Sequence, residues 1–204
     1  AMTEAPRRPC MPLPPLLRRG AVALPRGGVV VVGLLAAGCA SPHGWVDEAF
    51  YVRTSGADLY VHMRGDSRGG DAVLLLQGDE GAGSAPYRDS TAAELLEDDV
   101  VMVYFDQRGT GASTSRNTDD ISLVQLQDDV LLMLDVIDAQ WTATPTARVH
   151  LMGHSWGGLL GLSTLLDTEI SERLAGWIEV GGVHDVPATY AASRALALAE
   201  ASAQ

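Results

Sequence analysis

"ARVHLMGHSWGGLLG", residues 147 to 161, is the stretch whose reading decides the fold. A short apolar strand breaks sharply at Ser155 and continues as a glycine-rich helix. Gly153, His154, Ser155, Trp156 and Gly157 fit the pattern G-x-S-x-G. A strand-to-helix turn of this kind forces the serine backbone into a strained conformation, so the residues two before and two after it must be small. The strain lifts the hydroxyl above the carboxyl end of a sheet, and the following helix aims its N-terminal amides at negative charge developing there. Gly158 and Gly161 let that helix lie close to the sheet. Ser155 is therefore a candidate nucleophile, whereas His154 points along another direction and is assigned to packing.

The flanking sequence supplies the sheet. "AVLLLQG" and "VVMVYFD" are continuous apolar runs, as expected of central parallel strands covered on both faces. "SAPYRDSTAAELLEDD" between them predicts a crossover helix, and "EAFYVRTSG" with "ADLYVHMRGD" predicts two paired strands turning at Gly56. In "DDISLVQLQDDVLLMLDVIDAQW", Leu123, Leu126, Val130, Leu134, Ile137 and Trp141 recur at steps of three and four and predict one apolar helix stripe, with the acids mostly off it. "LAGWIEVGG" predicts the next strand, and "PATYAASRALALAEASAQ" an alanine-rich helix. Strands alternating with helices make this an α/β protein with a mostly parallel central sheet and flanking helices.

Composition narrows the function. The 204 residues are 47% hydrophobic, enough for one domain with a sizeable core. The formal net charge is −12 and all 14 basic residues are Arg, which argues against a nucleic-acid partner held by a basic face. The N-terminus differs in organisation: Arg18, Arg19 and Arg26 precede an apolar run from Val29 to Ala37 that ends at Cys39. That order predicts a signal peptide over 1–38, because the run is too short to span a bilayer as a helix. Ala37 and Gly38 before Cys39 resemble a bacterial lipobox, with Ala36 standing where Leu is usual; this implies lipidation at Cys39 and an exported, membrane-anchored lipoprotein. A plain cleaved signal is the other reading. Removing residues 1–38 leaves nine Arg against 25 acids, a net charge of −16, so membrane contact is expected only through the anchor. A linker over 39–47, the core over 48–183 and a final segment over 184–204 complete the expected organisation.

"VVMVYFDQRGTGAS", "LMGHSWGGLLGL" and "WIEVGGVHDVPATYAASRALALAEA" together resemble the α/β-hydrolase superfamily, specifically its proline iminopeptidase branch, from about Glu48 to the end. The match D-Q-R-G-x-G-x-S at Asp106 to Ser113, with Trp directly after the serine, is more specific than the G-x-S-x-G pattern alone. The resemblance implies that Ser155 is the nucleophile and that the Trp156 amide is one oxyanion donor. A second donor follows the third strand of the family in an H-G-G-P-G loop, here "QGDEG", Gln77 to Gly81, which puts Asp79 at the donor position. The carboxylates of Asp79 and Glu80 near a forming oxyanion oppose catalysis unless they turn to water. A working loop and a damaged one both remain open. Asp106 and Arg108, followed by Gly109, are read as a structural ion pair steadying their loop.

The family order is serine, acid, histidine. The stretch 184–204 resembles the first helix of the family's helical cap, so the rest of the cap, the last strands, the acid and the histidine are expected beyond Gln204. His184 and Asp185 are assigned structural roles at the start of the cap. The expected whole is the N-terminal part of an exported serine hydrolase acting on a small peptide or ester through an acyl-enzyme, with no metal and no cofactor. An aminopeptidase is the first expectation and, with the base absent, little activity is expected of the 204 residues alone. An esterase or lipase on the same fold and a non-catalytic surface lipoprotein are the alternatives.

Overall fold

The computed structural model describes residues 21–23, 29–31, 33–34, 44–78, 82–116, 121–141 and 148–202. Cys39, most of the expected signal segment and the Asp79–Gly81 stretch lie outside them. In chain order the elements are β1 (Ala21–Ala23), β2 (Val29–Val31), β3 (Gly33–Leu34), β4 (Trp45–Thr54), β5 (Ala57–Asp66), β6 (Asp71–Leu76), α1 (Ala85–Arg88), α2 (Thr91–Glu97) and β7 (Val101–Phe105). They continue with α3 (Leu123–Trp141), β8 (Arg148–His154), α4 (Trp156–Leu165), α5 (Thr168–Ser171), β9 (Gly176–Val180) and α6 (Val186–Ser202). β4 begins at Trp45, so the last three residues of the expected linker belong to the sheet.

Seven strands form one sheet in the order β3-β4-β5-β7-β6-β8-β9. β4 and β5 make the expected antiparallel hairpin, closed by Thr54 opposite Ala57 around Gly56 at φ 80°. β5 runs antiparallel to β7, and β7, β6, β8 and β9 are mutually parallel. Every residue of β7 is buried, as are all of β6 except Asp71, which matches apolar runs covered on both faces. Alternation then sorts the side chains. Ala72, Leu74, Leu76, Val101, Val103 and Phe105 join the core beneath α3 and α4, while Val73, Leu75, Met102 and Tyr104 pack with Ala93 of α2 on the other face.

Two helix expectations are revised. The crossover is two helices rather than one, because Asp89 and Ser90 interrupt it and Ser90 caps α2 by accepting from the Ala93 amide at 3.2 Å. The α3 stripe buries Leu126, Val130, Met133, Leu134, Val136 and Ile137, but Leu123 at its start stays 39% exposed. Among the described residues no helix is long and apolar enough to cross a membrane.

Candidate active site

Ser155 sits between β8 and α4 with φ 51° and ψ −115°; among the described residues it is the only non-glycine with positive φ. The strained turn predicted from G-x-S-x-G is present at the carboxyl end of a central parallel strand. Backbone hydrogen bonds hold it: the Ser155 amide donates to the Val180 carbonyl at 3.1 Å, and its own carbonyl accepts from Gly158 N at 2.9 Å and Val183 N at 3.3 Å. The small neighbours are required by contact. A Cβ on Gly157 would run into the Leu76 carbonyl, one on Gly153 into the Trp177 ring at 2.5 Å, and one on Gly158 into Gly182 Cα at 2.5 Å. The Trp156 amide thus stands at the first turn of a ten-residue helix, where unpaired amides and the helix dipole favour negative charge.

Two loops flank the turn, those leaving β6 and β7. Gln107 joins both to the elbow: its Nε2 donates to the Gln77 carbonyl at 3.0 Å, and its Oε1 accepts from Trp156 Nε1 at 3.2 Å. Gln77 in turn donates to Thr110 Oγ1 at 2.8 Å. Gly78 passes so close to the elbow that a Cβ there would lie 2.6 Å from the His154 carbonyl and 2.8 Å from Ser155 Cβ. Tyr87 Oη is 2.8 Å from the Gly78 amide and 2.8 Å from His154 Nδ1. His154 therefore has a polar partner, which the packing role assigned from sequence lacks. Asp79, the expected second oxyanion donor, lies outside the described residues.

The expected Asp106–Arg108 ion pair is not what forms. Arg108 is fully buried and makes a two-pronged contact with Asp129 of α3, at 3.0 Å from Nε and 2.7 Å from Nη2, while Nη1 donates to the Ser55 carbonyl at 3.1 Å. Burial pushes the Asp129 carboxyl up, with Arg108 pulling it down. Asp106 serves the loops instead: Oδ1 accepts from the Ser84 amide at 2.6 Å and the Ser84 hydroxyl at 2.7 Å, and Oδ2 accepts from Ala112 N at 2.7 Å. Each charge finds its partners outside the pair, Arg108 in the Asp129 carboxylate and Asp106 in amides of both loops, and Gly109 at φ 75° helps turn the chain so that Ala112 N comes back to Asp106. Ser113 completes the motif by donating to the Asp106 carbonyl and accepting from Tyr60 N.

Beyond β9, His184 Nδ1 lies 3.0 Å from Glu179 Oε1, and Asp185 accepts from Ala188 N at 2.9 Å at the start of α6. Neither side chain hydrogen-bonds Ser155. Among the described residues no side chain holds the Ser155 hydroxyl. A cavity of about 280 Å³ opens beside Trp156, between Gly109, Thr110, Ile121, Leu123 and Leu126. The arrangement presents a hydroxyl on a strained turn beside a helix N-terminus, which suits attack on a carbonyl carbon whose oxygen gains charge.

Comparisons with known proteins agree with this geometry. Residues 72–203 match the family model described as serine aminopeptidase, S33. A protein of Variovorax paradoxus (strain S110) named "Putative carbamate hydrolase RutD" is 39% identical over 109 residues, covering 53% of this chain and 37% of that protein. The crystal structure of a proline iminopeptidase-related protein from Thermus thermophilus superposes with a TM-score of 0.54 at 26% identity, covering 67% of this chain and 45% of that one. The α/β hydrolase GrgF from Penicillium sp. sh18 shares the fold at a TM-score of 0.54 and 21% identity, with 67% of this chain and 46% of that one covered. The chain spans less than half the length of these relatives.

Proposed function

The chain belongs to the serine aminopeptidase S33 family of α/β-hydrolases, and from that premise we propose that it is a hydrolase whose nucleophile is Ser155, acting on a carbonyl bonded to nitrogen. The observation that carries the reading is the backbone of Ser155 at φ 51° and ψ −115°, with the Trp156 amide behind it. A serine in that conformation costs stability, and such strain clusters at active sites. Ser155 Oγ bonds to the carbonyl carbon, the developing oxyanion is received by the Trp156 amide, and the C–N bond breaks with the amine leaving protonated. Water then releases the acyl group. The proton of Ser155 passes through a general base to the leaving amine nitrogen.

Hydrolysis of the N-terminal residue of a small peptide is the first reading, supported by the family match and the proline iminopeptidase-related structure. Carbamate hydrolysis is the second, favoured by the 39% identical relative. Both use the same attack and differ in what flanks the carbonyl. The full-length protein should be labelled by a fluorophosphonate probe, with labelling lost in Ser155→Ala. Turnover of a prolyl amide, a carbamate and a simple ester then ranks the substrate classes. Equal labelling of wild type and Ser155→Ala would remove Ser155 from the mechanism, and turnover of the ester alone would move the reading to an esterase.

A further inference from the structure

We propose that Tyr87 is a positioning residue whose hydroxyl couples the loop after β6 to the elbow that carries Ser155. The inference rests on the reading of Ser155 as nucleophile, but its geometry is independent of substrate. The β6–β8 ladder ends at Leu76 opposite Gly153. Two residues further, Gly78 runs so close to His154 and Ser155 that a Cβ on it would overlap both, and among the described residues no backbone hydrogen bond joins Gly78 to them. Tyr87 takes over where the ladder stops. Its oxygen lies 2.8 Å from the Gly78 amide and 2.8 Å from His154 Nδ1, and the two rings meet edge to face at a centroid distance of 5.6 Å.

Proton accounting fixes the direction of these bonds. The Gly78 amide can only donate, so the hydroxyl accepts from it. The hydroxyl has one proton, and among the described residues His154 Nδ1 is its only acceptor. His154 is thereby held as the Nε2–H tautomer. Were Nδ1 protonated instead, the hydroxyl would accept twice and its own proton would have no partner among the described residues. Tyr87 is itself placed from below: it belongs to α1, whose start is held by the two bonds from Ser84 to Asp106. One chain of contacts therefore runs from the β7 loop through Asp106, Ser84 and Tyr87 to the residue before the nucleophile. A loop shifted by part of an ångström changes how the groups beside Ser155 meet a tetrahedral oxyanion, a geometry to which rates respond steeply.

Tyr87→Phe removes the hydroxyl and keeps the ring. In the full-length protein, the His154 side-chain ¹⁵N resonances should pass from a single Nε2–H pattern to a tautomer mixture, and the Gly78 amide should exchange at least about tenfold faster. Phosphonylation of Ser155 should slow about tenfold at saturating probe, with the concentration for half-maximal rate unchanged, since positioning acts after binding. His154→Asn, whose amide oxygen can stand at the Nδ1 position, should restore most of the rate relative to His154→Leu. Tyr87→Phe combined with His154→Leu should be no slower than the worse single variant. Unchanged ¹⁵N shifts and exchange in Tyr87→Phe would show that the hydroxyl couples nothing. Altered shifts with an unchanged labelling rate would reduce Tyr87 to a structural contact and overturn the proposal. Absence of labelling in wild type would sink the nucleophile reading instead, leaving the coupling to stand or fall on the shifts and exchange. Should Tyr87→Phe fail to fold, the Asn and Leu substitutions at His154 carry the same test.

Discussion

Replacing Ser155 by glycine should make the protein more stable. Ser155 holds φ 51° and ψ −115°, a conformation whose cost for a residue with a Cβ is about 1–3 kcal/mol. Glycine adopts it freely, but an added glycine also loosens the unfolded chain, which offsets about 0.4–1 kcal/mol. The surplus is about 1 kcal/mol in favour of Ser155→Gly. For a chain of this size the gain corresponds to a rise in melting temperature of about 2–4 °C. Ser155→Ala is the control, since it loses the hydroxyl but keeps the Cβ and therefore the strain. Urea unfolding at neutral pH, followed by far-UV circular dichroism, compares the three proteins. A Ser155→Gly midpoint at or below that of Ser155→Ala, with equal slopes, would refute the argument that the elbow stores strain.

Other outcomes follow from particular contacts. Asp129→Asn leaves the Arg108 guanidinium buried without its counter-charge and should destabilise by about 3–5 kcal/mol in urea unfolding; a loss under about 1 kcal/mol would mean water reaches the pair. Arg148 holds the Asp71 carboxyl below its ordinary value, so the folded state binds a proton there less readily than the unfolded chain. That stability is present above the unfolded value of about 3.9 and is lost as pH falls through the folded one. Asp71→Asn should accordingly lower the urea midpoint at about pH 7 and converge with wild type near about pH 2, whereas parallel curves at both pH values would disprove the linkage. We also expect that Cys39→Ser abolishes incorporation of labelled fatty acid in a bacterial host; persistent labelling would discard the anchor.

The sequence made the sheet and the elbow legible because both depend on neighbours in the chain. Continuous apolar runs mark β6 and β7, and the glycines around Ser155 mark a turn that tolerates no Cβ. Contacts between distant segments were harder to see. The acids of "QLQDDVL" are expected mostly off the apolar stripe, yet Asp129 is 1% exposed and binds an arginine 21 residues earlier. Asp106 stood next to an obvious partner and took three donors from elsewhere. Glu97 closes α2 but accepts from Tyr104 and Arg64 in the interior. The link from Tyr87 to His154 spans 67 positions and has no local signature at all. A periodicity argument reports which face of an element is dry, but it does not report which dry polar groups will find each other.

The three bonds to Asp106 also bear on how this scaffold can be changed. One carboxylate binds Ser84, at the end of the β6 loop, and Ala112, within the β7 loop, and its surroundings leave it little freedom to turn: a Cβ on Gly83 would come within 2.9 Å of Oδ1. The two loops are therefore a single cassette. A graft that brings in either one from a relative, without the other, imports half of a hydrogen-bonded unit and strands a buried charge. Recombination within the family should then tolerate crossovers in the β4–β5 hairpin, or in α3 beyond Asp129 where the Arg108–Asp129 pair stays together, far better than any crossover falling between residues 84 and 112.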